Sequence, residues 1–277
     1  MTVAVAAEFP WGRLRQIVDS IPGSTLASGG AVILAADTRW TYGDRPPEDL
    51  GQKVWNIAPA VGAVFAGDVR AAEEALAKLR RAYRRARPDH PLRFAEIASR
   101  LLQRVYSQHR AKRGNVGPLY LLVGMANLRG QTAVLYLSHT SGFKPLFLRG
   151  VHAVGSAQAC DRFRDALDRA VAESAQDGRS WPMEIDVWAM MVAATLKLDV
   201  IDEGIDATVG GRVQLLILDR TGSRTVSVST TDSDALEPSS WRDSTVQHES
   251  LRRYHEMHRV PYLASGELDL RLHHISE

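Results

Sequence analysis

Val3, Val5 and Phe9 alternate with small alanines in the opening MTVAVAAEF, the pattern of a buried strand. After the connection PWGRLRQIVDSIPGSTLASGG, where Leu14, Ile17 and Val18 fit one helical turn, the continuous apolar run AVILAAD ends on a charge. QKVWNIA and VGAVFAG follow as a hairpin pair. The period then changes. Val69, Ala72, Leu76, Leu79 and Tyr83 recur at helical spacing, and beyond RPDHP a second helix carries Phe94, Ile97, Leu101 and Val105 on one face.

The second half repeats that order with different residues. PLYLLVGMA, TAVLYLSH, KPLFLRG and VHAVGS read as strands punctuated by Gly and Pro, with HTSGF as a turn between two of them. A helix with Phe163, Leu167 and Val171 on one face follows, then another with Met183, Val187, Met190, Ala194 and Leu198. RVQLLILD and RTVSVST, joined through RTGSR, close as a hairpin. The order of strands, two helices, strands, two helices, strands predicts an α+β protein of two packed antiparallel sheets with helices outside them. A parallel α/β sheet requires regular alternation of strand and helix, which this chain lacks.

Composition narrows the classes. A chain of 277 residues with 45% hydrophobic content can bury a sizeable core, and it suits one large domain or one domain with an appendage. A formal net charge of +2 provides no global field toward nucleic acid or lipid. Cys160 is the only cysteine, which excludes an intramolecular disulfide and fits a reducing compartment. No apolar run approaches the ~18 residues of a membrane span, and Glu8 and Pro10 interrupt the opening against a secretory signal. The expected location is cytoplasmic.

Particular residues at the joints of this pattern carry a resemblance. GGAVILAADTRW ends in Ala-Asp-Thr-Arg, which brings Asp37 and Arg39; Lys53, in GQKVWNI, falls sixteen residues after Asp37, and Gly67, in VFAGD, fourteen after that. LYLSHTSGF, AVGSAQ and DEGIDATVGGRVQLLIL follow in order, with Ser156 in the second and Asp206 in the third. Over roughly residues 2 to 230 the sequence resembles the proteasome-type N-terminal nucleophile hydrolases, the β-subunits of proteasomes and their bacterial relatives. The resemblance implies the four-layer αββα sandwich of that fold. It also implies a threonine-type peptidase acting on peptide or unfolded protein inside a homo-oligomeric ring or double ring, with an ATP-dependent unfoldase as a possible feeder.

The implied roles are chemically coherent. A threonine hydroxyl needs a base at neutral pH, and a free α-amine on the same residue, with a pKa near ~8, can supply one. Lys53 beside the hydroxyl would favour the alkoxide, Asp37 would hold that lysine, and the Gly67 N–H would donate to the oxyanion. Ser156 and Asp206 would position the amine or a water. Strand length selects the nucleophile. Counting back from Asp37 without a gap reaches Ile21, and Thr25 would pair too deep in the strand. Thr2 followed by VAVAAEF gives a strand able to pair antiparallel with AVILAADT, provided residues 10–30 are a loop insertion. Removal of Met1 would then expose the Thr2 amine.

Blander readings stand beside these. Asp37 and Arg39 fit a strand-end ion pair, Lys53 a hairpin edge, Gly67 a turn, Ser156 a helix N-cap and Asp206 a turn residue. The serine that the resemblance expects three residues after Asp206 is Val209 here, which keeps a catalytically weak or inactive scaffold in view, alongside an amidase of small substrates. His248, His255 and His258 lack the carboxylate or cysteine spacing of a metal site, and the arginines of RRAYRRAR fit a solvated helix end better than a nucleic-acid surface. No phosphate-binding glycine loop appears and no cofactor is expected. The domain expectation is residues 1–230 as the hydrolase-like unit and 231–277 as a helical C-terminal extension, with VQHESLRRYHEMHRV as its helix.

Overall fold

In the computed structural model the described residues are 2–10, 25–26, 29–42, 45–49, 51–86, 91–127, 130–176, 182–183, 185–229 and 269–273. A six-stranded antiparallel sheet contains β1 (Val3–Phe9), β3 (Ala31–Asp37), β11 (Val151–Gly155), β13 (Val213–Asp219), β14 (Gly222–Ser229) and β15 (Asp269–His273), in the order β11-β1-β3-β13-β14-β15. A five-stranded antiparallel sheet contains β6 (Val54–Ala58), β7 (Val61–Gly67), β8 (Leu119–Ala126), β9 (Thr132–Ser138) and β10 (Leu146–Leu148), in the order β10-β9-β8-β7-β6. Two short pairings complete the strands: β2 (Thr25–Leu26) with β12 (Pro182–Met183), and β4 (Trp40–Tyr42) with β5 (Arg45–Glu48). The helices are α1 (Val69–Ala86), α2 (Pro91–Arg113), α3 (Ala157–Gln176) and α4 (Ile185–Leu196), the last continued by a π turn over Lys197–Asp202.

Side-chain alternation along β1 and β3 explains both their sequences and the layering. Val3, Val5, Ala7 and Phe9, with Ala31, Ile33 and Ala35, face α3 and α4 in one apolar cluster. Their neighbours Ala4, Ala6, Val32, Leu34 and Ala36 face the other way, against Val64, Ala66, Leu122 and Val134 of the five-stranded sheet. A third cluster packs Phe65, Leu121, Val123 and Leu135 against Ala72, Leu76, Leu79 and Phe94 of α1 and α2. Three apolar layers between four structural layers make an αββα sandwich. Both faces of β1 and β3 are therefore dry, which is why these strands read as continuous apolar runs. Each large side chain so buried contributes roughly 1.5–3 kcal/mol.

The helix faces differ in detail from the sequence expectation. In α2 the buried stripe is Phe94, Ala95, Ala98, Leu102 and Val105, while Ile97 and Leu101 are half-buried at its flank. Small alanines dominate the contact, so the large residues alone point to a face rotated from the true one. Met183 lies in β12, not in the fourth helix, which starts at Ile185 and is buried on nearly every side from Trp188 to Leu196. The expected tail helix lies outside the described residues; the tail segment Asp269–His273 pairs with β14. Among the described residues no helix is long and apolar enough to cross a membrane.

Antiparallel register brings distant segments to one end of the sandwich. Val3 pairs with Gly155, Ala4 with Ala36, and Val213 with Asp37. The start of β1, the ends of β3 and β11 and the start of β13 thus meet at a single edge.

Candidate active site

Thr2 stands at that edge, just before β1, and Asp37 is the last residue of β3. The Thr2 hydroxyl donates to Asp37 Oδ1 and accepts from Lys53 Nζ. Lys53 Nζ also reaches Asp37 Oδ2 at 3.0 Å and the Arg39 carbonyl. All three side chains are enclosed: Thr2 is 4% exposed, Asp37 0% and Lys53 2%. A buried carboxylate needs donors on both oxygens, and Asp37 has them. Oδ1 accepts from Val3 N at 3.0 Å, and Oδ2 from Arg39 N and Gly210 N, each at 3.2 Å.

Lys53 lies just ahead of β6, where its backbone N–H donates to Gln214 Oε1 at 3.0 Å. Gln214, in β13, is a polar residue within an apolar strand and also accepts from Val54 N at 3.4 Å. Burial pushes the Lys53 ammonium below the ordinary lysine range, and the charge and hydrogen bond of Asp37 hold back part of that fall. A lysine ammonium touching a hydroxyl is suited to stabilising charge on that oxygen.

Arg39 does not form the strand-end ion pair with Asp37. Its guanidinium instead makes a two-pronged pair with Asp49, at 2.7 and 3.0 Å, and Nη1 donates to the Ala207 carbonyl at 3.3 Å. β4 and β5 pair antiparallel, and Asp49, just past β5, stands beside Arg39; the sequence expectation did not include it, because a lone acid beyond Pro46-Pro47 carries no spacing signal. That hydrogen bond holds the Asp49 carboxyl below the usual aspartate range and raises Arg39. Gly210 lies flat under Arg39: a methyl there would come within 2.3 Å of the guanidinium carbon.

Ser156 follows β11 and Asp206 lies in the loop before β13. Ser156 N donates to the Thr2 carbonyl at 2.9 Å, and its hydroxyl donates to Asp206 Oδ2. The same hydroxyl accepts from Ala159 N at 3.5 Å, so it also caps α3. Asp206 Oδ1 accepts from Thr208 N at 2.8 Å and Thr208 Oγ1 at 2.6 Å. Burial pushes the Asp206 carboxyl up, but the Ser156 and Thr208 hydrogen bonds outweigh it, and the group titrates below the ordinary aspartate range. Val209 is buried in the apolar cluster with α3 and α4. Gly155 makes the close approach possible: its φ is +124°, and a methyl on it would stand 1.8 Å from the Thr2 carbonyl oxygen and 3.2 Å from Ala66 Cβ. Gly67, next along from Ala66, thus ends β7 at the same edge, with a φ of +112°.

The structure therefore brings Thr2, Asp37 and Lys53 into direct contact, and Ser156, itself bonded to Asp206, onto the Thr2 carbonyl. Arg39 reaches the group through its backbone and through the 206–211 loop. Cys160, in the first turn of α3, is buried, and burial pushes its thiol up to about 11.

No curated protein matches the chain. The family model described as Proteasome subunit matches residues 24–167, a segment that holds Asp37, Arg39, Lys53, Gly67 and Ser156 and leaves out Thr2 and Asp206. That segment is more than half of the sequence and lies within a four-layer sandwich, and the chain belongs to the proteasome subunit family, of the N-terminal nucleophile hydrolase type.

Proposed function

We propose that the protein is a threonine-type peptidase in which Thr2 attacks peptide bonds. One observation carries the reading: the Thr2 hydroxyl sits between the Asp37 carboxylate and the Lys53 ammonium in a buried group. The reading requires that nothing precede Thr2 in the mature chain, so that Met1 is removed and the Thr2 nitrogen becomes an amine. The amine takes the hydroxyl proton as Oγ bonds to the substrate carbonyl carbon, and the Lys53 charge favours the developing alkoxide. The Gly67 N–H donates to the oxyanion. Collapse breaks the C–N bond, and the amine returns its proton to the leaving nitrogen. Water, activated by the same amine, then hydrolyses the ester on Thr2. Ser156 and Asp206 orient the amine from the Thr2 carbonyl side, and Arg39 steadies the loop that carries Asp206 and Gly210.

On this reading residues 1–230 form the hydrolase unit, residues 10–30 an insertion, and residues 231–277 an extension that returns one strand to the sheet. Family membership supports a ring assembly acting on peptide or unfolded protein, and the same proposal takes that ring as homo-oligomeric and cytoplasmic. The test is intact mass after incubation with a peptide epoxyketone. Loss of Met1 together with one inhibitor added, and no addition to Thr2→Ala, is the expected result; retention of Met1, or equal labelling of Thr2→Ala, overturns it.

Val209 favours a second reading, a subunit with weak or no catalysis, because the resemblance expects a serine there and Thr208 makes the local bonds to Asp206 instead. Under it, wild type labels slowly or not at all while Val209→Ser labels faster.

A further inference from the structure

Lys197 is a buried cation that the mechanism above does not use. It is 3% exposed, at the start of the π turn that continues α4. Its Nζ contacts Asp202 Oδ1 at 2.6 Å and donates to the Gly211 carbonyl at 3.3 Å. Asp49 faces it from the end of the β4–β5 hairpin, and the Lys197 charge is one of the influences lowering that carboxyl.

The ion pair and the π turn need one another. Residues five apart lie about 140° round an α-helix and point away from each other, whereas the wider i to i+5 turn brings them toward one face. Lys197 and Asp202 are the two ends of this turn. Arg162 of α3 pins the outer side, with Nε donating to the Asp199 carbonyl at 3.2 Å and Nη2 meeting the Glu203 carboxylate at 2.7 Å. Burying an ammonium is unfavourable, and an apolar pair in place of Lys197 and Asp202 would fill the same space without that cost. What an apolar residue would lack is the bond to Gly211.

That bond lies one residue from the candidate active site. Gly210 donates its N–H to Asp37 Oδ2, and its carbonyl accepts from Arg39 N at 3.1 Å. Gly211, with φ of +77°, makes the turn, and Arg212 N then donates to Thr38 Oγ1 at 2.8 Å. We propose that Lys197 is a positioning residue: its ammonium, aimed by the π turn and Asp202, holds the Gly211 carbonyl and so keeps the Gly210 N–H on Asp37. Its effect on rate rests on the reading of Thr2 as nucleophile; the strut itself does not.

Two measurements on the full chain separate these. Hydrogen exchange of the amides in residues 205–211 reports the strut whatever the activity. It should speed up about tenfold in Lys197→Met and less in Asp202→Asn, which keeps the cation and loses its anchor. The rate of epoxyketone labelling reports the consequence. It should fall about tenfold in Lys197→Met, since small misplacement at a reacting centre is costly, and recover in part in Lys197→Arg. The pH at which labelling reaches half its plateau should move in Lys197→Met, because the loss of a donor from Asp37 changes the charge balance of Asp37 and Lys53 around the Thr2 amine. A merely structural lysine would lower the melting temperature and leave that midpoint in place. Absence of labelling in wild type sinks the Thr2 reading alone. Unchanged exchange in a cooperatively folded Lys197→Met overturns the strut, and if that variant fails to fold, unchanged exchange in Asp202→Asn does so.

Discussion

Replacing Asp37 by Asn tests the charge balance on which the site depends. The carboxylate accepts from Val3 N, Arg39 N, Gly210 N, the Thr2 hydroxyl and Lys53 Nζ. Asn offers one oxygen, and its amide group would point donors at donors. It also leaves Lys53 at 2% exposure without its counter-ion. Breaking one side of a buried pair costs about 3–5 kcal/mol, so Asp37→Asn should lose roughly that amount near neutral pH. Lys53 already titrates below its ordinary value of 10.5, and the substitution pushes it further down. The unfolded chain then binds a proton that the folded chain does not, throughout the interval from the folded pKa up to 10.5. Stability therefore rises with pH across that interval, and the penalty is largest below it. Urea unfolding of wild type and Asp37→Asn at about pH 6 and about pH 9 measures this, and Asp37→Asn with Lys53→Met should recover much of the loss, since no charge is left unpaired. A loss under about 1 kcal/mol, equal at both pH values, would refute the argument that Asp37 neutralises a buried Lys53.

Gly155→Ala places a methyl 1.8 Å from the Thr2 carbonyl oxygen at a φ of +124°; it should cost more than about 2 kcal/mol in urea unfolding and abolish Thr2 labelling, and near-wild-type behaviour in both would show that the β11 end is not a close approach. Cys160, buried and with its thiol pushed up to about 11, should react with iodoacetamide at pH 8 only on unfolding; fast alkylation of native protein would contradict its burial.

The fold was legible where one physical pattern dominated. Val3, Val5 and Phe9 and the run AVILAAD announced strands, and the antiparallel pairing of Phe9 with Ala31 follows the register that strand length required. Two features were hidden. The second strand of the β4–β5 pair is RPPE, a sequence with little strand preference and no apolar alternation. The π turn has no sequence period of its own, so α4 reads through to Leu198 as an ordinary helix, whereas the ladder changes at Lys197.

Residues of the site were legible one at a time, through spacing that only the resemblance made meaningful. Sixteen residues between Asp37 and Lys53 is no local period of helix or strand; it is the length of chain needed to leave β3, make the β4–β5 excursion and return to β6 on the other sheet. A backbone donor such as Gly210 N–H leaves no trace in side-chain chemistry, yet it satisfies Asp37 as fully as a side chain would. Its only sign is the Gly210-Gly211 pair, needed because Arg39 lies over one glycine and the other turns with positive φ. Gln214 and Lys197 shared a weaker signal, a polar side chain inside an apolar stretch. Such residues are costly to bury unless something pairs with them, and both are paired to the backbone around Lys53 or Asp37. Gln214 and Lys197 are therefore polar interruptions through which buried elements carry the geometry of the candidate site, whereas Glu8, the polar residue of β1, accepts from Gly150 N at the far end of that strand.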